Sequence, residues 1–236
     1  MKIPFPRKIT VIMHKIWNSM PKFIRKNSYL NKLIIQIFVG SWLDLDWKKK
    51  YKKISKIEWE KYYDLAHKNA FRDEDITSTQ KKAVLKNIIG NNVLEVGCGS
   101  GQLSILMSKK VEVTALDCSG YILEKAKKNA TYNKIQITFK KGFVESLPFS
   151  DSHFDTTVCC HTLEHVQNLE KSIKELKRVT SKRLIIIVPQ QNFNEFTPDL
   201  HTHFFENKNK LSEIVGITKN KTDYIDTDIF YLGNIN

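Results

Sequence analysis

Val93-Leu94-Glu95-Val96 is a short, mostly apolar run that ends in Gly97-Cys98-Gly99-Ser100-Gly101, and Asp117 stands 20 residues beyond Gly97. Glycines at alternate positions let a backbone turn sharply and lie against a bound molecule, because no side chain intervenes. A carboxylate at the distance of Asp117 accepts hydrogen bonds from the hydroxyls of a ribose. Turn and acid together predict a site for a nucleoside-containing cofactor. The dinucleotide fingerprint G-x-G-x-x-G would require glycine at 102, where this chain has Gln102. That argues against a nicotinamide cofactor and its hydride chemistry.

Proton chemistry would fall to histidine. His161 follows an apolar run over 154–160 that reads as a strand, and crevices at the carboxyl ends of parallel strands hold ligands. It is the candidate general base, since imidazole titrates near neutrality; the alternative is a hydrogen bond to a neighbouring loop. Cys159, Cys160, His161, His201 and His203 show no standard zinc spacing, so no metal is expected. The four cysteines, Cys98, Cys118, Cys159 and Cys160, contain no C-x-x-C pair. A reduced, cytoplasmic setting is the simplest reading, with Cys159-Cys160 serving as small apolar residues of a buried strand.

Regular alternation positions these groups. Helical spacing over 80–89, 102–109, 120–130 and 166–178 alternates with short apolar runs at 92–96, 111–116, 135–139, 154–160 and 184–188. Such alternation predicts an α/β fold with a doubly wound, mainly parallel sheet and helices on both faces. Near the end, 206–215 reads as a helix and 222–232 as one or two closing strands.

Charge divides the chain at residue 56. Residues 1–56 hold 14 Lys/Arg against Asp44 and Asp46, a net of +12, whereas 57–236 hold 24 against 23 acids, a net of +1. A nucleic-acid enzyme needs a basic track at its active site, so a nucleic-acid partner is disfavoured for the nearly neutral body. Within 1–56, Ile9, Ile12, Met13, Ile16, Trp17 and Met20, and then Leu30, Leu33, Ile34, Ile37 and Phe38, recur at helical spacing. This extension reads as basic amphipathic helices. Their apolar faces suit capping of the body or a subunit interface, or peripheral contact with an anionic membrane on its cytoplasmic face, with calmodulin-like or nucleic-acid binding as the remaining alternatives. The most apolar run, over 33–43, is too short to span a bilayer of about 30 Å.

The spacing G-x-G-x-G after Glu95 resembles motif I of the class I S-adenosylmethionine-dependent methyltransferases. The resemblance continues through Lys141-Gly142-Phe143-Val144-Glu145-Ser146-Leu147-Pro148-Phe149, Phe154-Asp155 and Leu163-Glu164-His165-Val166. It covers roughly 83–206 and is strongest for the family's broad small-molecule branch. It implies a Rossmann-like fold with S-adenosylmethionine as cofactor. Carried over by position, Glu95, Gly97, Cys98, Gly99 and Gly101 would surround the amino-acid portion of the cofactor. Asp117 would bind its ribose, and Cys118 would lie beside the adenine. Phe143 stands where relatives commonly carry an acid that meets the adenine, leaving that contact to Phe143, the backbone of Val144, or Glu145.

On the acceptor side the resemblance implies His165, His201 and His203 near the substrate mouth, and Tyr63 in a lid-forming segment, with plain packing as the alternative for each. The Asn/Asp-Pro-Pro-aromatic motif of amino-methylases is replaced by Cys160-His161-Thr162-Leu163. The implied activity is methyl transfer to a small-molecule, glycan or lipid-linked acceptor. A protein or RNA methyltransferase, or a non-catalytic S-adenosylmethionine-binding protein, stays open beside it. The sequence carries no signal for oligomeric state.

Overall fold

The computed structural model describes residues 19–21, 50–69, 76–193 and 200–235. The amphipathic helices expected within 1–56 lie, except for 19–21 and 50–56, outside the described residues. Two compact units are formed, Met1–Asp75 with Asn194–His201, and Ile76–Phe193 with Thr202–Asn236. Charge alone divides the sequence earlier, at residue 56.

In the first unit, α1 (Lys56–Asn69) is opened by Ser55, whose hydroxyl accepts from the Glu58 amide while the Ser55 amide donates to Glu58 Oε2 at 2.9 Å. This reciprocal pair satisfies helix donors that the first turn leaves without intrahelical partners. Trp59 and Tyr63, four apart on one helix face, meet edge-on at 5.5 Å, and both are buried.

The second unit carries the sheet. Its elements are α2 (Ser78–Asn87), β1 (Asn92–Val96), α3 (Gln102–Met107), β2 (Glu112–Asp117), α4 (Gly120–Tyr132), β3 (Thr138–Lys141), β4 (Phe154–Cys160), α5 (Leu169–Val179), β5 (Thr180–Pro189), α6 (Lys208–Val215), β6 (Asn220–Ile225) and β7 (Asp228–Asn234). Short 3-10 turns lie at Val144–Ser146 and Leu163–His165. The strand order is β3-β2-β1-β4-β5-β7-β6. The first five strands are parallel, and β7 runs antiparallel to both β5 and β6.

Two-residue alternation splits the side chains of β5 between two cores. Leu184, Ile186 and Val188 pack with Ile173, Leu176 and Val179 of α5 and with Leu211 and Val215 of α6. Ile185 and Ile187 face the opposite way, into a cluster with Val84 of α2 and Leu103 and Met107 of α3. Both faces of the sheet are therefore covered, as buried parallel strands require. No helix among the described residues is long and apolar enough to cross a membrane.

Element boundaries differ from the sequence expectation where caps intervene. The helix expected from 80 starts at Ser78, because Thr77 and Gln80 form a capping box. The T-x-x-Q signal for this stands in the sequence. The helix expected from 166 starts at Leu169, because residues 163–165 make a 3-10 turn and Asn168 caps the amide of Lys171 at 3.0 Å. The third strand begins at Thr138 rather than 135, since the Ile135 amide still bonds back to Ala130 at 3.0 Å through Lys134 at φ 57°. The fifth strand runs straight out of α5, from Thr180. The segment 222–232 resolves into two strands joined at Asp226, which has φ 54°.

Candidate functional site

β1 passes into the glycine turn at the carboxyl edge of the sheet. Gly97, Gly99 and Gly101 have φ of 74°, 50° and 79°, the left-handed region that strains side-chain-bearing residues. Amides of Gly97 and Cys98 both donate to the Leu116 carbonyl, at 2.7 and 3.0 Å, which fastens the turn to the end of β2. A Cβ on Gly97 would lie 2.0 Å from Thr162 Oγ1, so the loop after β4 presses directly on this residue. Over Gly99 the situation is reversed, with nothing within 4 Å of a Cβ position. That opening is the cradle expected of a backbone that lies against a ligand.

Asp117, buried at the end of β2, organises the turn. Its Oδ2 accepts from the Gly99 amide at 3.0 Å and its Oδ1 from the Ser119 amide at 2.9 Å. Each carboxylate oxygen keeps a second lone-pair direction for a ligand hydroxyl. The Asp117 carbonyl meanwhile accepts from Gly142 at 3.0 Å, which brings the segment after β3 alongside.

Glu95 is buried inside β1 and accepts a hydrogen bond from Ser104 Oγ of α3, a partner that sequence spacing did not single out. Burial pushes its carboxyl up to about 8, the Ser104 bond pulls the other way, and the charge of Asp117 adds to the rise. Two acids thus converge behind the glycine turn, suited to a ligand that brings positive charge. The Cys98 thiol is buried and pushed well above its ordinary range, chiefly by desolvation, whereas Cys118 is half-buried.

The segment after β3 bears Phe143, half-buried, and Val144, buried in the core of the α5 face. Glu145 is also buried, and its Oε1 accepts from the Gln167 amide at 2.9 Å and the Asn168 amide at 3.4 Å. Its carboxylate is thereby directed to the link before α5.

At the end of β4, His161 occupies a left-handed backbone conformation, φ 50°, with its amide donating to the Ile187 carbonyl of β5 at 2.8 Å. Its Nδ1 lies 3.5 Å from Glu164 Oε1 and its Nε2 lies 3.4 Å from Asp228 Oδ2. Glu164 and Asp228 are both buried. Neither acid was singled out from the sequence as a partner of His161. Asp228 in turn accepts from Gln80 Nε2 at 2.5 Å, and the same Gln80 caps α2 through the Thr77 amide at 2.9 Å.

His165 ends the 3-10 turn, with its amide on the Thr162 carbonyl at 3.0 Å. His203 Nε2 stands 3.0 Å from the Val166 carbonyl, and because a carbonyl only accepts, Nε2 carries the proton. The amides of Thr202 and His203 both donate to the Glu164 carbonyl, at 2.7 and 3.1 Å. The loops after β4 and β5 are therefore bound to each other. Tyr63 and His201 belong to the first unit, the former on α1 and buried, the latter half-buried.

Residues 94–188 match the model of a methyltransferase domain. The chain is 31% identical over 143 residues to a ubiquinone biosynthesis O-methyltransferase of Rickettsia bellii, covering 58% of this chain and 59% of that protein. It is 31% identical over 116 residues to a 2-phytyl-1,4-naphtoquinone methyltransferase of Trichormus variabilis, covering 45% and 51%. The chain thus spans between half and three fifths of the length of these curated relatives. Among solved structures, magnesium protoporphyrin IX methyltransferase of Synechocystis PCC 6803, with S-adenosylmethionine bound, superposes with a TM-score of 0.53 at 18% identity, over 82% of this chain and 98% of that one. That likeness concerns the fold. The matched stretch runs from β1, ahead of the glycine turn, through β5, and over that stretch the chain is similar to a methyltransferase domain.

Proposed function

We propose that this protein moves a methyl group from S-adenosylmethionine to a small-molecule acceptor, with a lipid-linked ring of the quinone-precursor type as the favoured class. The observation that carries the cofactor assignment is the open cradle over Gly99 set between two buried acids, Glu95 and Asp117. The family's cofactor fits these residues. Gly97 to Gly101 would hold its amino-acid portion, Asp117 its ribose, and Cys118 and the Phe143–Val144 backbone its adenine. When bound, it supplies a methyl group already activated on a sulfonium. What the chain must add is alignment of the acceptor and exclusion of water. Acids rather than bases behind the turn are consistent with a cationic cofactor.

The quinone-type acceptor is supported by the names of the two curated relatives. The absence of the amino-methylase motif after β4 points the same way, since that motif is replaced by Cys160-His161-Thr162-Leu163. A cytoplasmic setting accords with four thiols that form no disulfide. Glycans remain in the same acceptor class as polyprenol-linked sugars.

Two measurements test this. Calorimetric titration with S-adenosylmethionine and with its demethylated product is expected to show binding of both; heat from neither overturns the reading. Methyl-labelled cofactor incubated with a fractionated cell extract is expected to mark the lipid or small-molecule fraction. Label confined to protein or RNA would replace the acceptor class while keeping the cofactor.

A further inference from the structure

His161 stands in a left-handed backbone conformation that strains a residue with a side chain, and its surroundings explain what holds it there. One buried carboxylate lies within ion-pair distance of each ring nitrogen, Glu164 of the 3-10 turn at 3.5 Å from Nδ1 and Asp228, the first residue of β7, at 3.4 Å from Nε2, the latter an ion-pair contact rather than an aligned hydrogen bond. An imidazole can donate from both nitrogens only when it carries both protons. Conversely, two buried carboxylates need a cation or donors close by, because unpaired buried charge is costly. Ring and acids are therefore mutually fitting as a carboxylate–imidazolium–carboxylate bridge. Such a ring presents neither nitrogen's lone pair to the proton of an acceptor.

We infer that Asp228 and Glu164 make His161 a positioning residue, a bridge that sets the loop after β4 beneath the cofactor turn, rather than the base that removes the acceptor's proton. Two connections lead from the bridge to the crevice. The first is Thr162, next in sequence, whose hydroxyl lies 3.2 Å from the Val96 carbonyl and occupies the space that any Cβ on Gly97 would need. A displaced 161–166 loop would thus displace the turn that holds the cofactor. The second is the Glu164 carbonyl, which accepts from Thr202 Oγ1 at 3.1 Å as well as from the amides of Thr202 and His203. The exit of β5 therefore follows the same loop. Behind the bridge, Gln80 fixes Asp228, so the start of α2 and the β6–β7 hairpin brace it; Thr77 Oγ1 adds a 2.5 Å bond to Asp226 at the hairpin tip.

The inference rests on the methyl-transfer reading only through its cofactor probe, and the test keeps the two apart. On the full chain labelled with 15N-histidine, ring correlation spectra need no substitution beyond His161→Gln to assign the signal. Both His161 ring nitrogens are expected to carry protons at neutral pH. Asp228→Asn is expected to shift the ring to a single-proton form and to weaken S-adenosylmethionine binding about five- to tenfold by calorimetry, with unchanged far-ultraviolet circular dichroism. Glu164→Gln serves as the second variant with the same expectation, should Asp228→Asn disturb folding. A singly protonated His161 in the unsubstituted protein overturns the bridge. Cofactor affinity within twofold of normal in a folded variant overturns the positioning role. A protein that binds no S-adenosylmethionine at all sinks the methyl-transfer reading instead, while the ring spectrum still decides the bridge.

Discussion

Glu95 shows how much one buried carboxyl can report about its site. With its carboxyl raised to about 8 from an ordinary value of 4.5, mainly by burial, it is protonated in the cofactor-free protein at neutral pH. The folded state then binds more protons than the unfolded chain between these two values. Its contribution to stability is accordingly full below the unfolded value and is lost as pH rises through the folded one. Thermal melts of the cofactor-free protein are expected to fall between pH 5 and 8, a range set by these two values, by more than those of Glu95→Gln. A parallel slope in the two proteins would remove Glu95 as the cause. Gly97 and Asp117 act at the same scale through geometry. The first is fixed as glycine by the Thr162 hydroxyl, the second by two backbone amides that need an acceptor.

Among the elements, α5 determines whether the segment after β3 stays beside the turn. Arg178, in its last turn, donates to Glu175 through Nε at 2.7 Å and to the carbonyls of Phe149 and Leu147 at 2.7 and 3.1 Å, and pairs with Asp151 at 2.8 Å. Glu175 returns an acceptor to the Leu147 amide at 2.8 Å. A planar fork with several donors can span these groups at once, which a lysine ammonium cannot do with the same geometry. Arg178→Ala is expected to cost about 1.5–3 kcal/mol, the range for charged hydrogen bonds, read as a lower denaturation midpoint. Arg178→Lys should recover less than half of that loss. A midpoint unchanged in the alanine variant would show that the loop is held without this residue. The stretch 141–149 carries its family resemblance in the sequence, whereas the helix residue that anchors it carries no such local signal. The contact joins positions 29 and 31 residues apart that no local pattern relates.

For the whole molecule the decisive feature is the separation of charge, +12 over residues 1–56 against +1 over the rest. A basic segment with apolar stripes is drawn to an anionic surface, each Lys or Arg near such a surface contributing about 1 kcal/mol. We therefore expect the full chain to float with vesicles containing phosphatidylglycerol, to remain behind with phosphatidylcholine vesicles, and to be released as salt rises. Equal behaviour with both lipids would leave capping of the body or a subunit interface as the role of 1–56. Taken alone, the sequence determined the sheet and the glycine turn of this protein. Alternating helices and apolar runs, and glycines at fixed offsets, are local signals whose physics acts within a few residues. Only the tertiary structure decided what surrounds His161. Gln80 and Asp228 are 148 residues apart, and the sheet order that seats β7 beside β5 is what carries Asp228 to the end of β4. The glycine turn takes its shape from its own residues, whereas the surroundings of His161 depend on which buried acids the fold sets against it.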